Sequence, residues 1–232
     1  MDSRVANSQV AIVGLGLMGA SLAGALRGQC RSVVGIHRNA ETVQIALARG
    51  LIDSGTTDLA CGVRQADVVI LATPVRVILR QIDEIGPLLK EGCVLMDLGS
   101  TKSRIVERMA RLPEHVQPLG AHPMCGKEAS GIAAADPALY RNCTFVLTPL
   151  PRTSSETLAL GHQLVQAVGA RPLVLETEQH DRLVATISHL PYLLASSLVS
   201  ATEQTAAQDA LVWDLAASGF RDTCRLAASD VT

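Results

Sequence analysis

A histidine in a short motif bounded by glycines is the residue of this chain best suited to proton transfer. His122 follows a strand-like run that ends at Gly120, and Pro123 comes directly after it. An unperturbed imidazole titrates near neutral pH, so it can accept a proton under ordinary conditions. Because a proline keeps the preceding residue out of the helical region, we expect His122 on extended backbone. The motif predicts a general base at the end of a strand.

A glycine-rich turn near the start of the chain predicts a dinucleotide site. The turn follows the apolar run Val10–Val13 and fits the pattern GxGxxG. Its glycines allow a tight bend, a close approach of the backbone to a pyrophosphate, and close packing of the next helix. The N-terminus of that helix favours an anion. The predicted cofactor-binding residues of the turn are Gly14, Gly16, Leu17, Met18 and Gly19.

The end of the second strand-like run, Ser32–Ile36, indicates which nicotinamide cofactor fits. NAD sites usually place an acidic side chain there to bind the ribose, whereas here His37 and Arg38 follow. The guanidinium of Arg38 can pair with a 2′-phosphate and His37 can assist it, which favours NADP. The alternative is that Arg38 is a solvated surface residue and that NAD binds through other groups.

Two further turns lie where apolar runs end, at the edge of a parallel sheet where ligands bind. Thr73 and Pro74 follow the third run and are predicted to line the cofactor ribose. Ser100 follows the fourth run, in Gly99–Lys102. It can cap the next helix, contact the nicotinamide and substrate, or do both.

The first three quarters of the chain alternate apolar runs with helical stretches, and this order predicts an α/β protein. Strands that are apolar on both faces belong to a parallel sheet covered by helices on both sides. We therefore expect a Rossmann-type, doubly wound, mainly parallel sheet, followed by an all-α C-terminal domain. The predicted domains are 1–176 and 177–232. The predicted strands are 10–13, 32–36, 67–72, 93–97, 116–121, 143–147 and 172–175, and the predicted helices are 19–28, 40–49, 75–89, 102–110 and 153–168.

The last part of the chain shows only helical spacing. Apolar residues between Leu183 and Leu198 form one stripe, and Pro191 is expected to kink that helix. A second helix is predicted over 203–217, with Gly219 as a left-handed cap, and a last turn or helix over 221–228. Three helices make a poor independent domain. We therefore expect them to pack on the sheet or on another subunit.

Composition excludes several classes of protein. The net charge of −2 with scattered basic residues gives no footprint for nucleic acid. The six cysteines lack any CxxC pair, which indicates reduced thiols and no zinc site. We found no continuous apolar run long enough for a membrane span. The start, Met1–Arg4, has no signal-peptide pattern, so a cytoplasmic location is expected.

Taken in order, the motifs resemble those of the prephenate/arogenate dehydrogenase family of tyrosine biosynthesis. The resemblance covers nearly the whole chain, and its later motifs are specific in combination. It implies oxidative decarboxylation of a cyclohexadiene to a phenol, with hydride transfer to NAD or NADP and no metal. The matching segments are 14–22, 99–102, 122–126, 180–181, 188–191 and 218–225.

The same resemblance implies roles for single residues. It makes His122 the catalytic base and Ser100 a partner of the substrate hydroxyl. It assigns Arg225 to a substrate carboxylate, although Asp222 can simply pair with Arg225 on one helix. The further substrate-binding residues it implies are His189, Glu128 and Gly126. His180 lies out of phase with His189 on a straight helix, which favours a structural role.

Some features depart from the family. Where many prephenate-using members carry a second histidine after Ser-His-Leu-Pro, this chain has Tyr192, which leaves arogenate open as the substrate. Relatives continue past Thr232 through helices that build a homodimer, so the chain is expected to be incomplete there. Two alternatives are a GLGxMG β-hydroxyacid dehydrogenase, disfavoured because no lysine follows Lys127, and a non-catalytic NAD(P)-sensing module.

Overall fold

The structure, a computed structural model, describes residues 4–228. Eight strands form one sheet in the order β3-β2-β1-β4-β5-β6-β7-β8. The strands are β1 (Gln9–Val13), β2 (Ser32–Ile36), β3 (Ser54–Thr56), β4 (Val68–Leu71), β5 (Val94–Asp97), β6 (Gln117–Pro123), β7 (Thr144–Pro149) and β8 (Arg171–Val174). The helices are α1 (Leu17–Leu26), α2 (Ala40–Ala48), α3 (Leu59–Val63), α4 (Val75–Ile85), α5 (Ser103–Met109), α6 (Ser155–Ala167), α7 (Thr177–Val184), α8 (Leu190–Ala206) and α9 (Ser218–Cys224).

All strand pairs are parallel except β6 and β7, which confirms the predicted mainly parallel, doubly wound sheet. Both faces are buried because successive strand residues point to opposite sides. In β1, Val10 and Ile12 join one core cluster, while Ala11 and Val13 join the other. The first cluster packs under α1, α2 and α6, and the second under α3, α4 and α5.

The sequence analysis missed one strand and one helix. Residues Ser54–Thr56 form β3 at the edge of the sheet, and Leu59–Val63 form the short α3. Asp58 caps α3 by accepting a hydrogen bond from the backbone of Cys61 at 2.9 Å. Neither segment is long enough to show a periodic pattern.

The chain divides into two compact units, the first ending at His180 and the second beginning at Asp181. The predicted boundary at 176/177 lies a few residues earlier, at the start of α7. The predicted lack of a leader at Met1–Arg4 and the predicted continuation past Thr232 concern termini that fall largely outside the described residues.

The second unit is helical over its described residues, but two sequence predictions for it were wrong. Helix α8 continues to Ala206 and is followed by a short 3-10 turn, Ala210–Val212, so no helix spans 203–217. Gly219 lies inside α9 and has no positive φ, so it is not a left-handed cap. Before Pro191, Ala185–His189 form a π-helical turn, which accommodates a ring that would clash with a regular helix.

One helical stretch in the described chain, Thr177–Ala206, is long and apolar enough to cross a membrane by length and composition alone. Only 11% of its most apolar window is buried. The sequence analysis did not anticipate this stretch. Its exposed apolar side chains include Ile187, Leu190, Leu193, Leu194 and Leu198.

Candidate active site and cofactor cavity

A cavity of about 360 Å³ opens at the carboxyl ends of β1, β2 and β4. Parallel strands bring their carboxyl ends to the same edge, and this is where ligands bind in open α/β sheets. The cavity is lined by residues of the glycine-rich turn, of the turn after β2 and of the turn after β4. Its predicted lining residues are Gly14, Gly16, His37, Arg38, Thr73 and Pro74, and the additional ones are Val13, Ile36, Thr57, Leu59, Ala72, Val77 and Gln81.

The glycine-rich turn has the backbone that a dinucleotide needs. Gly14 has a φ of +99°, and a Cβ there would lie 2.7 Å from the carbonyl oxygen of Ala72. A Cβ on Gly16 would meet nothing within 4 Å, so the open space beside its backbone can receive a ligand. Gly19 packs directly against the carbonyl of Gly14. The turn thus fits a pyrophosphate at the start of α1.

Leu17 and Met18 lie in the first turn of α1 and do not line the cavity as described. The carbonyl oxygen of Met18 instead accepts a hydrogen bond from the hydroxyl of Tyr140 at 2.7 Å. Tyr140 is fully buried, and nearby the backbone N–H of Asp136 donates to Ser21 Oγ at 2.9 Å. These contacts tie the segment that follows His122 to the cofactor turn.

His37 and Arg38 lie together at the end of β2. Asn39 caps α2 by accepting a hydrogen bond from Glu41, and its own N–H donates to His37 Nδ1 at 3.1 Å. Burial lowers the pKa of His37, and the charge of Arg38 lowers it further. His37 is therefore neutral at pH 7, and Arg38, which is exposed, supplies the positive charge.

Helices α3 and α4 also bring in cavity residues that sequence reasoning missed. Thr73 Oγ1 donates to Gln81 Oε1 at 2.6 Å, which fixes Thr73 against α4. Leu59 and Val77 contribute apolar walls that suit a flat ring. The apolar spacing of α4 pointed to its core face, with Ile78 and Ile82, and gave no signal for its cavity face.

A buried ion pair lies where β5 and β6 end. Asp97 and the Lys102 ammonium are in direct contact, and both side chains are fully buried. Asp97 Oδ2 also accepts from Gly99 N at 2.8 Å, and Oδ1 accepts from Ala121 N at 3.1 Å. Burial raises the pKa of the Asp97 carboxyl, while Lys102 and the two backbone donors oppose that rise. The carboxylate thus holds the residues just before Ser100 and His122.

His122 lies on β6, as predicted, with extended backbone between β5 and β7. Its Nδ1 is 2.9 Å from Nε2 of His180, and the two rings meet edge to face. His180 is fully buried on α7. The contact brings together two histidines that lie far apart in sequence, and the sequence had favoured only a structural role for His180.

The loop after β6 carries the other predicted residues of this motif. Gly126 and Glu128 are exposed. Cys125 lies opposite Cys143, and burial raises the pKa of the Cys125 thiol to about 12. Cys125 therefore stays protonated near neutral pH and is not a nucleophile. Within residues 4–228, no three His, Cys, Asp or Glu side chains come together as metal ligands.

His189 and Arg225 belong to the second unit. His189 is partly exposed and ends the π-helical turn before α8. Arg225 is exposed and begins a 3-10 turn directly after α9, and Asp222 lies on α9. Ser100 is exposed in the first unit, and no described bond caps α5 with its side chain.

Two family models match consecutive parts of the chain. Residues 22–174 match the nucleotide-binding domain of prephenate dehydrogenase. Residues 176–231 match the prephenate dehydrogenase dimerization domain. Together they match most of both structural units.

Individual proteins give the same result. The chain is 38% identical to a prephenate dehydrogenase of Lactococcus lactis subsp. cremoris, over 96% of this chain and 62% of that protein. The chain thus spans about three fifths of the length of that relative. A Synechocystis arogenate dehydrogenase structure matches 96% of the chain and is itself covered to 80%, with 34% identity and a TM-score of 0.82. A prephenate dehydrogenase of Aquifex aeolicus, in complex with hydroxyphenyl propionate and NAD+, matches 98% and is covered to 80%, with 29% identity and a TM-score of 0.89.

Proposed function

Because this chain belongs to the prephenate dehydrogenase family, we propose that it oxidises and decarboxylates prephenate or arogenate with a nicotinamide cofactor. The products are 4-hydroxyphenylpyruvate or tyrosine, which places the reaction in tyrosine biosynthesis. The observation that carries the proposal is His122 at the carboxyl end of β6, in contact with His180 and next to the Asp97-held turn of Ser100. A cytoplasmic location remains a prediction.

The chemistry needs one proton acceptor and good orientation. The carbon that bears the substrate hydroxyl loses hydride, and the hydroxyl proton passes to His122, which leaves a dienone. The ring carboxylate then departs as carbon dioxide, and its bonding electrons move through the ring to the oxygen. The resulting phenolate takes the proton back from His122. When bound, the cofactor supplies the hydride acceptor.

The other predicted site residues have distinct roles in this proposal. Ser100 donates to or accepts from the substrate hydroxyl and so aligns it with His122. Arg225 pairs with a substrate carboxylate, and His189 binds the substrate as well. Gly126 and Glu128 are the other substrate-binding residues of the proposal. Tyr192 occupies the position where many prephenate-using members carry a histidine, so arogenate is tested beside prephenate.

For the cofactor, the proposal is NADP in preference to NAD. The cavity lies beside the glycine-rich turn, where part of a dinucleotide can bind, and Gly14, Gly16, Gly19, Thr73 and Pro74 would help to hold the cofactor. Support for NADP comes from His37 and Arg38, which line the cavity where an NAD site usually has an acid. Because the Aquifex relative was solved with NAD+, both cofactors belong in the assay.

We further propose that the second unit forms a homodimer through the exposed apolar side of α8. The matching family model is a dimerization domain. Leu193 and Leu194 are each 60% exposed, and covering such side chains removes apolar surface from water. A dimer that buries this side of α8 would account for the long apolar helix, and no membrane contact is then needed.

The deciding experiment measures reduction of NAD and NADP at 340 nm with prephenate and with arogenate, in all four pairs. Turnover with any pair supports the enzyme, and the best pair defines the substrate and cofactor. Tight nucleotide binding without turnover in any pair would favour the nucleotide-sensing module. None of the matches reported above favours the β-hydroxyacid dehydrogenase alternative.

A further inference from the structure

The fully buried imidazole of His180 lies against the proposed base. The His122 Nδ1 to His180 Nε2 distance of 2.9 Å is a hydrogen bond between side chains. The backbone N–H of His180 donates to the carbonyl of Glu176 at 2.9 Å, which fixes His180 in α7. His122 is held by the β6–β7 ladder opposite Val146. Both residues are therefore held through their backbones, and the hydrogen bond joins their rings edge to face.

The direction of this hydrogen bond decides whether His122 can act as a base. A neutral imidazole carries one hydrogen, so one ring nitrogen donates and the other accepts. If His122 Nδ1 donates to His180, then Nε2 of His122 keeps its lone pair and can take a proton. If His180 donates instead, Nε2 of His122 already bears a hydrogen and can only donate.

We propose that His180 is a positioning residue that accepts the Nδ1 hydrogen of His122 and so presents the Nε2 lone pair to the substrate hydroxyl. The inference rests on the proposed role of His122 as base. In other histidine-dependent enzymes a carboxylate often orients the base through the same nitrogen. Here a buried imidazole takes that position, and its acceptance of the hydrogen bond would fix the tautomer of His122.

The first test reads the tautomer directly and needs no substrate. Two-dimensional ¹H–¹⁵N spectra of the imidazole nitrogens are recorded at pH 8.5, above the ordinary histidine range. The His122→Asn variant identifies the His122 signals. We expect Nδ1 of His122 to be protonated and Nε2 to be bare, and we expect His180→Leu to shift His122 towards the Nε2–H form. A wild-type His122 with hydrogen on Nε2 would overturn the proposal, whether or not the protein turns over prephenate.

The second test separates orientation from packing. In His180→Gln the amide oxygen can occupy the place of Nε2 and accept the hydrogen bond, whereas His180→Leu keeps bulk and loses the acceptor. We expect the leucine variant to lower kcat by roughly 10–100-fold with an unchanged KM for the cofactor, since general-base catalysis as a whole contributes about 10²–10⁴. The glutamine variant should recover most of that loss. His162→Leu, on α6, is the matched control and should keep full activity.

Two results would contradict the positioning role. Wild-type kcat in His180→Leu would show that the contact is dispensable. Equal losses in the leucine and glutamine variants, with unchanged unfolding temperature, would show that hydrogen-bond acceptance is not what matters.

Discussion

The backbone N–H of Ala121 donates to Oδ1 of Asp97 at 3.1 Å, so a side chain that ends β5 fixes the chain one residue before His122. The other carboxylate oxygen holds Gly99, one residue before Ser100. A single buried group therefore sets the spacing between the two proposed catalytic residues. Lys102 compensates its charge.

Breaking this ion pair should affect stability and catalysis differently. We expect Lys102→Met to cost about 3–5 kcal/mol of unfolding free energy, because it leaves a buried carboxylate without its cation. The double variant Asp97→Leu/Lys102→Met should regain much of that stability, since an apolar pair of similar size removes both charges. Its kcat should nevertheless fall at least about tenfold, because Gly99 and Ala121 lose their acceptor.

Urea unfolding and steady-state kinetics check both parts. A double variant with wild-type kcat would show that Asp97 does not position Ser100 and His122. A Lys102→Met protein as stable as wild type would contradict the charge argument.

The pH dependence of activity should report His122. A base must be unprotonated to act, so kcat/KM should fall towards acidic pH, approaching a tenfold loss per pH unit where His122 is mostly protonated. His122→Asn should lower kcat by roughly 10²–10⁴ while cofactor binding, followed by fluorescence titration, stays intact. A kcat/KM profile that is flat down to pH 5 would remove His122 from this role.

Arg38 should distinguish the two cofactors. Removing a charge-assisted hydrogen bond costs about 1.5–3 kcal/mol, so Arg38→Ala should raise the KM for NADP by roughly 10–100-fold. The KM for NAD should change little. Arg171→Ala, on the opposite edge strand β8, is the control. Equal effects of Arg38→Ala on both cofactors would contradict the 2′-phosphate role.

His37 should make that preference depend on pH. Its pKa is lowered by burial and by Arg38, so it is neutral above its ordinary range and gains a proton only as pH falls. A bound 2′-phosphate favours the protonated ring, so the affinity for NADP relative to NAD should rise from pH 8 to pH 6.

The variant His37→Asn isolates this effect, because its amide oxygen can still accept the N–H of Asn39 but does not titrate. The ionisation of the phosphate itself is common to both proteins. The dissociation constants for NADP and NAD are measured by calorimetry between pH 6 and pH 8. If their ratio changes with pH equally in the wild type and the variant, the prediction is wrong.

The apolar side of α8 should control subunit association. Leu194→Glu places a charge on a side chain that is 60% exposed, and a dimer would have to bury that charge without a partner. We expect light scattering to give a dimer for the wild type and a monomer for the variant. Ile45→Glu on α2 is the control and should remain dimeric. The proposed dimer would be contradicted if the wild type were a monomer or if it partitioned into lipid vesicles.

The sheet was accessible from sequence because its strands are apolar on both faces and end in glycine or polar turns. Edge strand β3 was not, since Ser54-Gly55-Thr56 has no apolar run and is defined by pairing with β2. Gly219 was misassigned because a glycine near a helix boundary fits a cap as well as a first turn. Only the backbone conformation separates the two cases.

The candidate site shows a similar limit. Motif spacing predicted roles for His122, Ser100 and the cofactor turn, because each follows an apolar run that is typical of a strand. The contact of His122 with His180 depends on how α7 packs beside β6, and no local pattern records that distance. The contacts of Asp97 with Gly99, Ala121 and Lys102 could not be predicted, because an aspartate at the end of a strand resembles an ordinary turn residue.

The reversed direction of β7 has a consequence for how the connection between β6 and β7 can vary. Because β7 runs against β6, the connection between them leaves and re-enters the sheet at the same edge. Its later part is anchored to α1 through Tyr140 and Asp136, while Gly126–Ser130 are exposed. Replacing this short exposed stretch leaves strand register and cofactor turn untouched. Under the proposed function, this stretch can change the substrate preference while the fold beneath it stays the same.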